Sequence, residues 1–586
     1  MNPNLSLSAL IVDELARVGL REVCIAPGSR STPLALAFAA HPAIRVYLHL
    51  DERSAAFFAL GLAMGGGRPA ALLCTSGSAA ANFFPAVIEA RMSRLPLLVL
   101  TADRPHELRG SGANQTIDQV KLYGDQVLWS VDLPLPEAEP PALVERSLRA
   151  LAARAYAAAD GIVKGPVHLN FPFRKPLEPE PGEGLPVFDW EAGAPPQARL
   201  LRGRVAPEAS QARELGELIA AHPRGLIVCG PGCPGGDFPA AVSELSRRSG
   251  YPLLADPLSG LRFGCPGSLG GYEAYMGRPA LRERLLGEAQ VVLRFGGVPT
   301  SAALMNGLDA LQPRARVHVV EHGVWQDDTH RTTLFLQADP ALACRALLPF
   351  LPGREESAWA GRLQSAERRY WEALEEALQS LPLTEGWAAA ETLAALPEGG
   401  RLWAGNSLPV RHLDAYARPS DRRIQVYGSR GASGIDGNLS TALGVAACDR
   451  ERPLAALVGD VTFYHDMNGL FALRRHGLRR VTFVLLNNNG GGIFRRLPVS
   501  AWEPPFEELF LTPHGLNFEP AAAMYGLEHR LAHSREDLRA ALQESVGTET
   551  PHLIEVRTDS EADFRLHREV MEKAAAAVAA ALPEPG

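Results

Sequence analysis

Pro453-Leu454-Ala455-Ala456-Leu457-Val458-Gly459-Asp460-Val461-Thr462 and Val481-Thr482-Phe483-Val484-Leu485-Leu486-Asn487-Asn488-Asn489-Gly490-Gly491-Gly492 decide how this chain is read. Each opens with an apolar run of strand length. The first run ends in a carboxylate, the second in neutral amide oxygens. Hard oxygen ligands of this kind suit Mg²⁺, which prefers octahedral oxygen coordination and is usually shared with phosphate groups. The glycines let backbone N–H groups come close to those phosphates. Asn487 follows Asp460 by 27 positions. That is the length of one strand–helix–strand unit, so two neighbouring parallel strands are expected to bring both ligand sets to one sheet edge.

The same grammar extends outward. Expected strands in the first third are Glu22–Ala26, Ile44–Leu50, Ala70–Cys74 and Pro96–Leu100. Between them, Ser29-Arg30-Ser31-Thr32-Pro33 opens a helix, Ser54–Met64 forms another, and Thr75-Ser76-Gly77-Ser78 turns into a third. Residues 174 to 198 are rich in Pro, Gly and Glu and read as a linker. A middle α/β region follows, with strands at Gly225–Cys229, Val291–Phe295 and Val317–Glu321. A charged helix over Glu355–Leu381 leads to the last third. Its strands are Arg401–Ala404, Arg423–Tyr427, Leu454–Val458, Val481–Leu486 and His552–Val556, and an Ala-rich terminal helix covers Ala574–Ala581. The fold class is α/β, with three doubly wound parallel-sheet domains at residues 1–180, 198–352 and 365–586.

The bulk properties exclude several classes. The 586 residues are 46% hydrophobic and 21% charged, as in ordinary globular protein. A net charge of −8 speaks against a nucleic-acid or anionic-membrane surface. The start, Met1-Asn2-Pro3-Asn4, lacks the basic and apolar parts of a signal peptide. No apolar stretch approaches the ~20 residues of a membrane span. The seven scattered cysteines suit a reducing cytoplasm. Cys229 and Cys233 form one C-x-x-x-C without a second pair, so they read as thiols and not as a metal site. No G-x-x-x-x-G-K-[ST] string appears, which disfavours a P-loop enzyme.

The Gly459-Asp460 to Asn487-Asn488 spacing resembles the signature of thiamine diphosphate enzymes. Longer strings narrow that resemblance. They are Ala26-Pro27-Gly28-Ser29-Arg30-Ser31-Thr32-Pro33-Leu34, Asp51-Glu52-Arg53-Ser54-Ala55, Thr101-Ala102-Asp103-Arg104-Pro105 and Gly112-Ala113-Asn114-Gln115. Further on come Gly405-Asn406-Ser407-Leu408-Pro409-Val410-Arg411, Arg430-Gly431-Ala432-Ser433-Gly434-Ile435-Asp436-Gly437 and Asn487 to Phe494. Together they are similar to the 2-succinyl-5-enolpyruvyl-6-hydroxy-3-cyclohexene-1-carboxylate synthase family of menaquinone biosynthesis. The first and last thirds match well and the middle third loosely.

The resemblance implies a pyrimidine-binding first domain, a central domain and a diphosphate-binding last domain. It implies a transferase that decarboxylates 2-oxoglutarate and adds the succinyl carbanion to isochorismate. The implied cofactors are thiamine diphosphate and Mg²⁺, with Mn²⁺ as the alternative ion. Glu52 would be the catalytic carboxylate at the aminopyrimidine ring; read alone, it is more simply a carboxylate favoured by a helix N-terminus. Asp460, Asn488 and the Gly490 carbonyl would hold the metal. Ser407, Ile435, Gly459, Val461 and Ile493 would contact the cofactor.

Two dianionic substrates call for cations, and Arg30, Arg104, Arg411 and Arg430 fall inside the matched strings. Ser29, Asn114, Gln115 and Ser407 would add neutral hydrogen bonds. Ile493, Phe494 and Leu497 would wall the reacting carbons, although core packing explains them and Ile435 as simply. The family pattern carries a Lys in the central domain where this chain has Ala302 after Pro299-Thr300-Ser301. The superfamily pattern also implies a homodimer or homotetramer with sites at the subunit interface. The rival readings are an acetolactate synthase-like carboligase or decarboxylase acting on a small monoanion, and a non-catalytic scaffold on the same fold.

Overall fold

Short apolar runs that alternate with helices have one common solution, a parallel sheet covered on both faces. In this computed structural model, which describes residues 2–179, 182, 184–191, 193–354 and 357–582, that solution occurs three times. The first sheet contains β1 (Glu22–Ile25), β2 (Arg45–Leu48), β3 (Ala70–Cys74), β4 (Leu97–Asp103), β5 (Trp129–Asp132) and β6 (Pro166–Pro172) in the order β2-β1-β3-β4-β6-β5. The middle sheet contains β7 (Gly225–Cys229), β8 (Leu253–Ala255), β9 (Val291–Phe295), β10 (Ala315–Val320) and β11 (Leu334–Gln337) in the order β11-β10-β9-β7-β8. The last contains β12 (Arg401–Ala404), β13 (Gln425–Tyr427), β14 (Leu454–Gly459), β15 (Val481–Asn487), β16 (Glu528–Ala532) and β17 (His552–Arg557) in the order β13-β12-β14-β15-β17-β16. Counted from their own first strands, the first and last sheets share one strand order. Every named pairing is parallel.

The first and last domains meet through two helices, Glu52–Gly66 and Asn438–Cys448. They cross at glycines. A Cβ on Gly61 would lie 2.1 Å from the Thr441 carbonyl oxygen, and one on Gly444 would lie 2.1 Å from that of Phe58. This close approach lets Phe57, Phe58 and Leu62 share one apolar cluster with Leu439, Leu443 and Val445. The middle domain is joined to the last by a fully buried ion pair, Arg262 with Asp414, which Tyr272 completes with a 2.7 Å hydrogen bond to the same carboxylate.

Several expected boundaries move. The strand expected over Ile44–Leu50 stops at Leu48, because Leu50 is 66% exposed and the Asp51 carboxylate caps the Ser54 N–H at 3.0 Å. Glu52 therefore lies in the first turn of a helix. The strand expected over Pro96–Leu100 runs on to Asp103, since Thr101, Ala102 and Asp103 are all buried. Strands β5, β6, β8, β11 and β16 were not expected. The helix placed over Glu355–Leu381 forms over Ala358–Gln379; Glu355 lies outside the described residues, as do Met1 and residues 583–586. The Ala-rich end belongs to a longer helix, Ser560–Ala580. Among the described residues, no helix or strand lies between Pro172 and Ala209. Among them, too, no helix is long and apolar enough to cross a membrane.

Candidate active site

Strand β14 ends on Gly459, Asp460 opens the helix Asp460–Asp466, and β15 runs beside β14 with Gly459 opposite Leu486. Asp460 and Asn488 thus leave one edge of the last sheet together. The Asp460 carboxylate is 2% exposed. It accepts the Val461 N–H at 2.7 Å and the Gly490 N–H at 2.9 Å, and its Oδ2 meets His514 Nε2 at 3.2 Å. Burial pushes its pKa up, while the Gly490 and Val461 N–H groups and His514 act in the opposite direction.

The Asn488 amide donates to Glu385 Oε1 at 2.7 Å, and its own Oδ1 is buried without a partner. A buried oxygen without a donor is costly unless something fills its coordination. Gly490 adopts φ +140°, and a Cβ there would lie 2.0 Å from the Leu511 carbonyl oxygen. Its own carbonyl accepts the Gly492 N–H at 3.0 Å, with one lone pair to spare. A carboxylate, an orphaned amide oxygen and a backbone carbonyl form a hard oxygen set that fits Mg²⁺.

A cationic group stands near this edge. Ser407 caps the helix Leu408–Tyr416 with φ +71°, and Arg411 donates to the Ser407 carbonyl at 2.6 Å. Arg430 donates to Asn406 Oδ1 at 2.9 Å. Burial draws the Arg411 pKa down, and the neighbouring charges of Arg430 and Arg496 draw it further. Burial likewise lowers that of Arg430.

Ile435 is half-buried on the loop that follows Arg430. That loop is pinned from the first domain. Glu89, 3% exposed, accepts the Gly431 N–H at 2.8 Å and the Ala432 N–H at 2.7 Å. Ile493 and Phe494 are half-buried in the turn Gly492–Arg496, where Phe494 meets Phe510 edge-on at 5.6 Å. Leu497 is 46% exposed.

The first domain contributes a second cationic group. Arg30, 6% exposed, donates to the Phe173 carbonyl at 2.8 Å and leaves its Nε without a partner. Arg104 donates to Ser76 Oγ and to the Asn114 carbonyl. Gln115, at φ +55°, donates to the Ser76 carbonyl at 2.9 Å. Arg104, Asn114 and Gln115 are thus gathered around Ser76, and the Arg30 backbone N–H donates to Oγ1 of the adjacent Thr75 at 3.2 Å, while Ser29 is exposed nearby in sequence. Among the described residues, no hydrogen bond joins this group to Arg411 and Arg430.

Glu52 is half-buried in the first turn of its helix. Among the described residues its carboxylate makes no hydrogen bond. Next to it, Arg53 donates to the His465 carbonyl at 2.6 Å, so this turn rests on the far end of the helix that Asp460 begins. At the missing lysine, Ala302 opens a helix whose cap, Ser301, donates to Glu273 Oε2 at 2.6 Å. Arg496 acts on Glu273 as it does on Arg411, which brings a cation of the last domain close to this position. Sequence reasoning missed Arg496, His514, Glu385 and Glu89. Arg496 lies two residues past a matched string, a usable signal; the other three carry none.

Three family models match the chain. They are the thiamine pyrophosphate enzyme N-terminal TPP binding domain at residues 5–122, the middle domain of thiamine pyrophosphate at 197–404, and the C-terminal TPP binding domain at 411–556. Benzoylformate decarboxylase from Polynucleobacter necessarius has the same fold, with a TM-score of 0.70 at 19% identity over 94% of this chain and 98% of that one. The three matched domains, in the order the fold shows them, define a thiamine pyrophosphate enzyme.

Relatives narrow the class. A 2-succinyl-5-enolpyruvyl-6-hydroxy-3-cyclohexene-1-carboxylate synthase from Roseiflexus sp. (strain RS-1) is 54% identical, over 98% of this chain and 99% of its own length. Synthases of the same name from Roseiflexus castenholzii and Geobacillus kaustophilus are 53% and 45% identical, over 99% and 98% of this chain and 100% and 98% of theirs. The chain belongs to the 2-succinyl-5-enolpyruvyl-6-hydroxy-3-cyclohexene-1-carboxylate synthase family.

Proposed function

We propose that this enzyme decarboxylates 2-oxoglutarate and joins the resulting succinyl unit to isochorismate, forming 2-succinyl-5-enolpyruvyl-6-hydroxy-3-cyclohexene-1-carboxylate in menaquinone biosynthesis. The observation that carries the reading is the orphaned Oδ1 of Asn488 beside the Asp460 carboxylate, at an edge that also holds Arg411 and Arg430. Thiamine diphosphate, when bound, supplies the carbon nucleophile and the electron sink. Asp460, Asn488 and the Gly490 carbonyl would hold Mg²⁺, or Mn²⁺ in its place. Ser407, Gly459, Val461, Ile435 and Ile493 would contact the cofactor. The Glu52 carboxylate would hold the proton shared with the aminopyrimidine ring nitrogen.

The substrate carboxylates fall to Arg30, Arg104, Arg411 and Arg430, with Ser29, Asn114, Gln115 and Ser407 adding hydrogen bonds. Arginine matches a carboxylate with two parallel N–H donors, and desolvation strengthens each contact. Arg496 stands in for the absent cation at Ala302. Phe494, Leu497 and Ile493 keep water from the reacting carbons, so that addition to isochorismate outruns protonation. Residues 1–180 form the pyrimidine-binding domain and 365–586 the diphosphate-binding domain, with 198–352 between them. The working form is a cytoplasmic homodimer or homotetramer whose sites lie between subunits.

The test supplies purified protein with thiamine diphosphate, Mg²⁺ and isochorismate, and either 2-oxoglutarate or pyruvate. Isochorismate should disappear with 2-oxoglutarate only, and Glu52→Gln should remove most of that turnover while leaving the melting temperature in place. Preference for pyruvate would point instead to an acetolactate synthase-like enzyme. No calorimetric binding of thiamine diphosphate would point to a scaffold.

A further inference from the structure

Asn488 is held from behind by a residue far away in sequence. Glu385 opens the helix Glu385–Ala395, 103 positions before Asn488. Its Oε1 accepts from Asn488 Nδ2 at 2.7 Å and from the Thr558 hydroxyl at 3.0 Å, and its Oε2 faces His412 Nε2 at 3.0 Å. Glu385 and His412 are each 1% exposed. The Glu385 backbone N–H donates to Asp563 Oδ1 at 2.9 Å, so main chain and side chain are both fixed.

A side-chain amide has two chemically opposite ends, and only one of them can bind a cation. An ionised carboxylate can only accept. With Nδ2 committed to it, the Asn488 amide must turn Oδ1 the other way, where that oxygen is buried without a partner. The ligand atoms of Glu385, His412 and Asp563 lie within 4.8 Å of one another, a spacing that could also suit a metal ion. Both Glu385 oxygens already have donors, however, and His412 Nε2 is spent on one of them. The group is therefore a hydrogen-bond network. His412 sits on the helix Leu408–Tyr416, next to Arg411.

We propose that Glu385 is a positioning residue that locks the Asn488 amide with its oxygen toward the Mg²⁺ site, and that through His412 it ties this orientation to the helix carrying Arg411. The inference rests on the reading of Asp460, Asn488 and Gly490 as metal ligands. Partners behind a ligand of this kind change metal affinity by roughly 10- to 100-fold when removed.

The experiment reads Mg²⁺ affinity, not turnover. Full-length protein at fixed thiamine diphosphate is titrated with Mg²⁺ by calorimetry, beside a melting curve of the metal-free protein. In Glu385→Gln the carboxamide can donate to residue 488, which frees the Asn488 amide to turn its N–H₂ toward the ion; the half-saturating Mg²⁺ concentration should rise about 30-fold. Asn488→Asp alone sets carboxylate against carboxylate and should also bind weakly. The double variant Glu385→Gln/Asn488→Asp restores a donor–acceptor pair with the two roles exchanged, and should return to within about threefold of wild type. A residue that merely supports the fold would show no such rescue. If Glu385→Gln does not fold, Glu385→Asp, which draws the acceptor back by one methylene, should show the same loss. Unchanged affinity in the single variants, or a double variant no better than either, overturns the proposal. Wild-type protein that binds thiamine diphosphate without needing Mg²⁺ removes the metal-site reading, and the proposal falls with it.

Discussion

Arg496 stands among charges of both signs. It bears on Arg411, itself near Arg430, and it faces two buried carboxylates, Glu273 of the middle domain and Asp563. Uncompensated cations held out of water bind a dianion strongly, because the anion relieves their repulsion. Arg496→Ala should therefore raise KM for 2-oxoglutarate about 10- to 100-fold, the worth of one charge-assisted hydrogen bond. The melting temperature of the free enzyme should stay level, since the repulsion lost at Arg411 is offset by the attraction lost at Glu273 and Asp563. A melting temperature that falls while KM stays put would mark Arg496 as structural. The placing of Asp460 and Asn488 at one sheet edge was legible in the sequence because each follows an apolar run of strand length. Glu385 and Glu89 were not, because their partners lie 103 and 342 positions away and nothing local distinguishes them from solvated carboxylates.

The helix Glu52–Gly66 contains glycines whose surroundings differ sharply. A Cβ at Gly61 would press on the Thr441 carbonyl at 2.1 Å, whereas at Gly66 its nearest neighbour would lie 3.8 Å away and the backbone is not left-handed. Gly61→Ala should destabilise the protein by about 1–3 kcal/mol through overpacking against the helix Asn438–Cys448. Gly66→Ala should be neutral or stabilising by up to about 1 kcal/mol through helix propensity. Melting curves of the two variants check the contrast, and equal effects would refute it. Elements were legible where burial is uniform, as in β3, β7 and β12. Edge strands β5 and β16 are partly exposed and polar, so no apolar run announces them, and β11 offers only the three apolar residues Leu334-Phe335-Leu336, too short a run to stand out. Strand β6 is fully buried yet hidden for another reason: His168 and Asn170 point into a polar network with Thr101, which breaks the apolar pattern.

Stability of the whole molecule should decline in mild acid. His49, His168 and His318 are almost fully buried, and burial first of all pushes their pKa values down to about 3, about 4 and about 4. His476 adds to the effect at His49 and Arg294 at His318, while Asp132 opposes it at His168. The unfolded chain protonates these rings near 6.5 and the folded chain does not. The unfolded state therefore takes up more protons as pH falls through 6.5, and at pH 5 each ring costs about 2 kcal/mol. Asp256 and Asp466, raised to about 6 chiefly by burial, act in the opposite sense. Each returns about 1.4 kcal/mol by pH 5, so these five groups together leave a loss of about 3 kcal/mol; the lowered rings of His322, His476 and His567 add to it, and the raised Asp563 carboxyl opposes it. A melting temperature that holds or climbs between pH 7 and pH 5 would contradict this balance.

The identical strand order of the first and last sheets has a consequence for assembly. Two domains of one architecture in each chain can face their counterparts across a two-fold axis, and closed symmetry then repeats every contact. The two arginine groups stand on different domains, with no hydrogen bond between them among the described residues. Under the proposed arrangement, Glu52 of one subunit serves the cofactor held by Asp460 of another. Glu52→Gln and Asp460→Asn should each be inactive as pure proteins. Unfolded or dissociated together and reassembled at equal ratio, half the dimers pair unlike chains, and one of the two sites in each such dimer receives both wild-type residues. Roughly a quarter of wild-type activity should return. If each chain instead built its site alone, every site in the mixture would lack one of the two carboxylates, and no activity would appear at any mixing ratio.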